Sequence, residues 1–388
     1  AKHDAKGKTD QRERRRQIEP HLPSIFAGTA PPGLMNQIAL AYDERFIDIQ
    51  GETPVERVQD FIGGTTQEAN AAITGVVATL ALPDLPKVDE ILRLNLAGRA
   101  HLIRPACLLG ASLAFERDPE STRNWPDALA GKLAAFWLTE GVGDQPEWFS
   151  SLAALRPAVI APVLIRYAAQ TIRRRSVTSV AGLWMLARED RLADLSRAVI
   201  PALLRAFPTR ANERQLRILN GDLLPAASRW LPTNEFQALL AERSSIKSLD
   251  AAQRIAYLVA GLPIDAERCS MDLLRLVGSS ESRAAHMGRA LQWQEQRKKG
   301  ADSLPERAAG RLIELIAPYA SPERTLGSHW VGDADHRRDW VNHFLSHLTS
   351  SGSLEAAAEL ARLSGLRKLD RWKVAFDSAA FDLSLIHI

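Results

Sequence analysis

The segment TPVERVQDFIGG, residues 53–64, contains the complete sequence signature of one short α-helix. Thr53 is a typical N-cap residue, and Glu56 three positions later completes a capping box, in which the two residues satisfy each other's backbone amides. Apolar residues of a single helix face follow at helical spacing: Val55, Val58 and Ile62. The glycine pair at 63–64 supplies the left-handed backbone that ends many helices. We therefore expect a helix over 54–63.

The same pattern returns along the chain, whereas strand patterns hardly occur. Ser303 with Glu306 predicts a second capping box, and an apolar stripe then runs up to Pro318. Alternating apolar and polar runs rich in β-branched residues are nearly missing. Short connectors rich in Pro, Gly, Ser or Asp separate about twenty helical segments, and no flexible linker divides them. The sequence therefore predicts an all-α fold.

An internal similarity indicates how these helices are arranged. AVIAPVLIRYA at 158–168 resembles AVIPALLRAFP at 198–208, and aligning Pro162 with Pro201 gives a period of 39 residues. This is close to the period of HEAT-type repeats. Chance similarity between two Ala- and Leu-rich helices is the alternative. We predict an α-solenoid of antiparallel helix pairs, HEAT- or armadillo-like and right-handed, over 21–382, with a sub-boundary near 141–146.

The two ends of the chain have a different character. Residues 1–20 are basic and predict a linker or a frayed helix. The last six residues, LSLIHI at 383–388, resemble the translated transposon end of a sequencing library, although a genuine tail is the alternative. On the first interpretation His387 has no functional meaning, and 383–388 pack against little. We also expect the neighbouring apolar residues to be partly bare: Leu363, Trp372, Val374 and Phe376.

Composition excludes several classes of protein. The 388 residues are 46% hydrophobic, which is enough for a core, and the net charge of +3 is too small to indicate a nucleic-acid binder by itself. The two cysteines, Cys107 and Cys269, exclude a disulfide scaffold and indicate a reducing, cytoplasmic environment. The longest apolar run, at 71–82, is too short for a membrane span.

Motifs for catalysis are missing from the sequence. Gly7-Lys8-Thr9 lacks the first glycine of a phosphate-binding loop, and the loop at 28–35 has Leu34 and Met35 where that loop needs Lys and Ser or Thr. No nucleophile elbow occurs, and both cysteines lie in apolar helices as buried, inert thiols. We therefore predict no catalytic residue and no cofactor in this chain.

A row of histidines is the best candidate for a metal site. HRRDWVNHFLSH at 336–347 places the histidines and one aspartate on a single helical stripe: His336, Asp339, His343 and His347. His343 and His347 have the one-turn spacing that suits Zn²⁺. No glutamate follows the first histidine of this pair, so a general base is missing. A solvated or interfacial row is the preferred interpretation, and a metal site is the alternative.

Basic clusters are the candidates for contact with an anionic partner. They comprise Arg173, Arg174, Arg175, Arg297, Lys298 and Lys299, with further clusters at 14–16 and 367–368. Cations at helix C-termini complement the helix dipole without any ligand. In a solenoid, however, helix ends from successive repeats can align into one basic ridge that meets phosphate. Both interpretations stay open on the sequence.

One long stretch resembles a known family. PHLPSIFAGTAPPGLMNQIALAYDERFIDIQGETPVERVQDFIGG at 20–64 is similar to the helical region that follows the NTPase module in bacterial NACHT-type proteins, which are signal-transduction ATPases of the STAND class. The run EWFSSLAALRPAVIAPVLIRYA at 147–168 has the same character. Many of these proteins act in defence against phage. The family's nucleotide-binding residues have no counterpart here, so the resemblance implies an upstream ATPase module in cis.

Two classes of function follow from these observations. The first is a non-catalytic sensing or scaffolding arm of a larger NTPase, binding a protein or nucleic acid on the solenoid surface. The second is a HEAT-like DNA-repair glycosylase, in which arginines hold the backbone while Asp and Trp address a base. A free-standing scaffold is a third, more general alternative. A glycosylase requires a basic channel with an acidic residue inside it, and the near-neutral net charge counts against it.

Overall fold

A computed structural model of the chain describes residues 12–140, 145–294, 304–323 and 333–386. Throughout these ranges the regular structure is helical, without a strand, so the all-α prediction is confirmed. A helical stretch at 12–18 and the 3-10 turn Glu19–His21 precede the first numbered helix. In the same ranges no single helix has both the length and the apolarity to cross a bilayer, and one bent pair, at 147–172, meets the criterion by length and composition alone.

The helices are short and follow one another closely. They are α1 Leu22–Phe26, α2 Pro32–Tyr42, α3 Pro54–Ile62, α4 Thr66–Ala78, α5 Val88–Leu96, α6 Arg104–Arg117, α7 Ser121–Asn124, α8 Asp127–Glu140, α9 Glu147–Leu155, α10 Pro157–Ile172, α11 Leu183–Arg188, α12 Ala193–Ala206, α13 Glu213–Ile218, α14 Leu224–Trp230, α15 Thr233–Ser244, α16 Ala251–Gly261, α17 Ala266–Val277, α18 Glu281–Gln294, α19 Glu306–Ile316, α20 Asp333–Ser351, α21 Leu354–Ser364 and α22 Lys373–Ile386. A π-helical turn, Leu219–Leu223, joins α13 to α14.

The predicted start of α3 is confirmed in detail. Thr53 accepts a hydrogen bond from the Glu56 amide at 3.2 Å, and the Glu56 carboxylate accepts one from the Thr53 amide at 3.0 Å. Gly63 ends the helix in the left-handed region, with φ 60°. The second predicted capping box involves Ser303, which lies outside the described residues. There α19 begins after Pro305, and Glu306 instead accepts hydrogen bonds from the hydroxyls of Ser351 and Ser353.

The chain divides into two compact units. Unit 1 comprises Ala1–Ala168 with Asp190–Val199, and unit 2 comprises Ala169–Glu189 with Ile200–Ile388. In unit 1, α4 packs on α1 and α6 at very short range. A Cβ atom on Gly75 would lie 1.9 Å from the Ile25 carbonyl oxygen, and one on Gly110 would lie 2.8 Å from that of Val76. Glycine is therefore required at both crossings. The predicted sub-boundary near 141–146 falls mostly on residues 141–144, outside the described ranges.

In unit 2, each helix packs mainly against helices close to it in sequence. Thus α16 packs on α17 and α18, α19 on α20 and α21, and α22 on α20 and α21. One continuous apolar core runs from α16 to α22. The Gln215 side chain donates a hydrogen bond to the Ile172 carbonyl, 43 residues earlier in the sequence. The Arg243 side chain likewise donates to the Arg205 carbonyl, 38 residues earlier.

The packing of the C-terminal helix, α22, contradicts two expectations from the sequence. Leu363, Trp372 and Phe376 are buried, and only Val374 is bare, at 81% exposure. Trp372 donates its indole N–H to the Ala320 carbonyl at 3.1 Å, which fixes the ring inside the core. α22 continues to Ile386, and Leu383 is 1% exposed within the same core. The expectation that the tail packs against little is therefore wrong at Leu383, because that residue extends the buried stripe of α22.

Candidate anion-binding surface

The histidine row lies along α20 with each ring half-buried. His347 Nε2 lies 2.7 Å from the Leu304 carbonyl oxygen, and His336 Nε2 lies 3.3 Å from the Gln292 amide nitrogen. The His343 ring packs edge-on against Trp340, with the centroids 5.3 Å apart. Within the described ranges, no group of three or more His, Cys, Asp or Glu side chains is arranged to hold a metal ion. The row is thus engaged in packing and hydrogen bonding.

Both cysteines are free and buried, as predicted. Burial raises the pKa of the Cys107 thiol to about 12 and that of Cys269 to about 11. The thiolate is the nucleophilic form of cysteine, and such values keep it negligibly populated near neutral pH.

In the sequence, Trp137, Trp184 and Trp340 lie within apolar stripes, which predicts core packing, and the structure agrees with this prediction only in part. Trp340 is buried, but Trp184 is 46% exposed. Its helix, α11, is only six residues long and starts after Gly182, whose φ is 82°. The Arg188 guanidinium lies over the Trp184 ring, 6.0 Å from its centroid. The prediction of a core position for Trp184 is therefore wrong, because the neighbours of so short a helix leave nearly half of the residue exposed.

The predicted basic clusters have different environments. Arg297, Lys298 and Lys299 lie outside the described residues. Arg14 and Arg15 bind Asp48 and Glu68 at 2.7 and 2.8 Å, and Lys368 binds Glu314 at 2.8 Å. These cations serve as internal ion pairs. The cluster at 173–175 directly follows the end of α10, with Arg173 and Arg175 exposed and Arg174 half-buried.

Hydrogen bonds between loops bring further cations beside this cluster. Asn212 donates its side-chain amide to the Arg175 carbonyl at 2.7 Å, and Arg214 donates to the Ser176 carbonyl at 3.2 Å. Asp250 in turn links the next loop, because its amide donates to the Thr209 carbonyl at 3.1 Å. Three successive loops therefore lie side by side. We call their cations the basic ridge: Arg173, Arg174, Arg175, Arg210, Arg214 and Lys247.

Most of the ridge is not neutralised by carboxylates. In the described part of the chain, the side chains of Arg173, Arg175, Arg210 and Lys247 form no ion pair, and Arg214 binds only a backbone carbonyl. By contrast, Arg205 nearby pairs with Glu242 at 3.0 Å. Unpaired, exposed cations in adjacent loops produce a positive potential that attracts anions.

Two acidic residues border the ridge, and both are engaged. Asp250 is the N-cap of α16 and accepts hydrogen bonds from the amides of Gln253 at 2.8 Å and Ala211 at 2.9 Å. Glu213 lies 3.7 Å from the Arg289 guanidinium. Neither carboxylate is placed to neutralise the exposed arginines.

A cleft of about 820 Å³ lies along the ridge, and a narrower one of about 230 Å³ adjoins it. The first is lined by Arg210 and Lys247, and the second by Arg217 and Arg289. Both are lined by Glu213 and His286, so they are continuous. The arrangement supplies donors and positive charge for an anionic ligand, and it lacks an activated nucleophile.

Sequence reasoning found Arg173–Arg175 but missed the isolated cations Arg210, Arg214 and Lys247. A signal for them exists, because Arg173, Arg210 and Lys247 follow one another at intervals of 37 residues. Residues at one repeat period occupy equivalent positions in stacked helix pairs. No family model, curated protein or solved structure matches this chain.

Proposed function

We propose that this chain is a non-catalytic binding module built as an α-solenoid. The support comes from side-chain hydrogen bonds in unit 2 that join positions about one repeat apart. Trp230 bonds to Leu186 at a separation of 44, Arg311 to Glu267 at 44, and Asn212 to Arg175 at 37. In stacked helix pairs, each repeat contacts its neighbours at a nearly constant sequence offset. The 39-residue similarity of the sequence belongs to the same range.

The ligand that fits the basic ridge best is the phosphate backbone of a nucleic-acid duplex. Exposed arginines and a lysine without ion-pair partners, Arg173, Arg175, Arg210 and Lys247, come from three neighbouring loops, as contact with a polyanion requires. Among the described residues that line the wider cleft, none is Phe, Tyr or Trp, so none offers one of these rings for an unpaired base to stack on. The ridge therefore suits backbone contact without base readout. The single observation that carries this proposal is that Arg173, Arg210 and Lys247 lie in three neighbouring loops without carboxylate partners.

The larger context follows from the resemblance of 20–64 to NACHT-type proteins. On this basis we propose that the module is a cytoplasmic sensing arm of a STAND-class NTPase, with the ATPase module upstream in cis and a role in antiviral defence. The arm alone should give no heat of binding with Mg-ATP in calorimetry. Micromolar binding of ATP would contradict the assignment of the ATPase to another part of the protein.

A repair glycosylase fits the surface less well. That activity needs an acidic residue presented to the flipped base within a basic channel. At the ridge, Asp250 caps α16 and Glu213 faces Arg289, so both carboxylates already have structural partners. We therefore favour binding over base excision.

Duplex binding is tested by fluorescence anisotropy. A labelled 25-base-pair duplex should bind the wild-type chain with an affinity that falls steeply as salt rises, because bound cations release counterions. The double variant Arg210→Ala/Lys247→Ala should bind about tenfold more weakly and reduce the salt slope by about two.

The matched control is Arg275→Ala/Arg307→Ala, which removes the same charge from exposed positions paired with Asp272 and Glu355. It should retain wild-type affinity. Equal losses in the two variants would mean that net charge alone attracts the duplex, and the ridge would then have no specific role.

A further inference from the structure

We propose that the narrow cleft beside the basic ridge binds a terminal phosphate, so that the module recognises the phosphorylated end of a nucleic-acid strand. The inference deepens the proposed function and rests on it. The cleft is bounded by α13 with the π-helical turn, the start of α16, and α18. Its polar lining residues are Glu213, Arg217, Asn220, His286, Arg289 and Gln292.

The cations of this cleft are held in different ways. Contacts that orient Arg289 include those to His286 Nδ1 at 3.0 Å and to Glu213 at 3.7 Å. Arg217, on α13, is exposed and has no ion-pair partner in the described ranges. One guanidinium is thus already positioned, and a second is available to close on a ligand. Two guanidinium groups with side-chain amides from Asn220 and Gln292 form a donor set suited to phosphate.

The charge and size of the cleft favour a monoester over an internal diester. A terminal phosphate carries about 1.5–2 negative charges and three free oxygens, whereas an internal phosphate carries one charge and two free oxygens. The monoester can accept from both guanidinium groups, and its additional charge strengthens their attraction, which offsets the repulsion from the nearby Glu213 carboxylate. A cleft of about 230 Å³ also admits a phosphate with its waters but excludes a passing duplex.

The position of the cleft links it to the ridge. The wider cleft with Arg210 and Lys247 is lined by Glu213, Leu216, Ala252 and His286, and the narrow cleft shares these residues. A strand held by its backbone along the ridge therefore meets the narrow cleft at one end. The π-helical turn at Leu219–Leu223 contributes Asn220, and such turns occur frequently at functional sites.

The test compares two 25-base-pair duplexes of one sequence, one with 5′-phosphates and one with 5′-hydroxyls. Wild-type protein should bind the phosphorylated duplex about tenfold more tightly. Arg217→Ala should abolish this preference, so that the variant binds the two duplexes with equal affinity. Glu213→Gln removes the carboxylate beside the site and should increase the preference several-fold. Arg275→Ala serves as the matched surface control and should behave as wild type.

Each outcome has a distinct meaning. Equal binding of both duplexes by the wild type overturns the proposal for the cleft and leaves the proposal for the ridge standing. A preference that survives Arg217→Ala also overturns the proposal for the cleft. If neither duplex binds, the ridge fails, and titration with inorganic phosphate then tests the cleft alone. Saturable binding of phosphate that requires Arg217 supports the cleft in that case, and its absence overturns it.

Discussion

At the scale of single residues, Asp222 is a carboxylic acid whose ionisation is opposed by its surroundings in the fold. It lies in the π-helical turn, where burial raises the pKa of its carboxyl from 3.8 to about 6 against the opposing attraction of Arg188. The native state therefore keeps its proton over a pH range in which the unfolded chain has lost it. As pH rises from about 4 to 6, this residue makes the wild type progressively less stable.

Replacing Asp222→Asn removes the charge of this half-buried side chain and nearly preserves its shape. We expect the free energy of unfolding at pH 7 to rise by about 1–2 kcal/mol, and to change little at pH 4, where the carboxyl is protonated in the native state. Urea denaturation of the wild type and the variant at pH 7 and at pH 4 measures both changes in the free energy of unfolding. A variant that is less stable at pH 7 would show that the Arg188 attraction outweighs the cost of burial.

The sequence predicted residues well where the determinants were local. Thr53, Glu56 and Gly63 define α3 through contacts a few positions apart, and the structure confirms all three. Trp184 was assigned wrongly because its exposure depends on the length of α11 and on the chain around it. Burial is a property of tertiary packing, which local periodicity cannot fix at the end of so short a helix.

At the scale of elements, α22 has one buried face and one solvent-exposed face. Leu383 and Phe376 are buried with α20 and α21, whereas Phe381 is 62% exposed and Val374 is 81% exposed. Leu383→Ala should lower the free energy of unfolding by about 2–4 kcal/mol, because it leaves a cavity in the core. Phe381→Ala, a larger deletion on the bare face of the same helix, should change it by less than about 0.5 kcal/mol.

Thermal denaturation of the two variants makes this comparison. If Leu383→Ala left the melting temperature unchanged, residues 383–386 would contribute nothing to packing, as the resemblance of LSLIHI to a library sequence implied. The hydrophobic pattern identified α22 as a helix, but the pattern alone could not show how far along the helix its neighbours extend. That extent depends on α20 and α21, which are distant in sequence.

At the scale of the whole molecule, the sequence indicates a repeat only through one pair of similar segments. Pro162 and Pro201 each lie inside a helix, α10 and α12, but the other described helices carry no such landmark. The cations Arg173, Arg210 and Lys247 recur more regularly, at intervals of 37 residues, yet single basic residues look unremarkable in a sequence that is 24% charged. Only the hydrogen bonds between loops show that these positions are neighbours.

In a repeat array, a destabilising substitution should lower the stability of only the helices near it. In unit 2, α22 packs on α20 and α21, whereas α16 packs on α15, α17 and α18. Phe376→Ala removes a fully buried ring from α22 and should cost about 3–5 kcal/mol locally. In an array, stability is a sum of repeat and nearest-neighbour terms, so this loss should decline with distance along the chain.

Native-state hydrogen exchange measures how far along the chain the loss of stability extends. Protection should fall strongly in α20, α21 and α22, less in α19, and not at all in α13, α14 and α15 of the same unit. Leu239→Ala, on the buried face of α15, is the reciprocal experiment. It should leave the hydrogen-exchange protection of α22 unchanged. A domain folded around one cooperative core would instead lose protection everywhere in both variants. Such uniform loss would rule out a solenoid in unit 2, and the alignment of the basic ridge would then need a different structural origin.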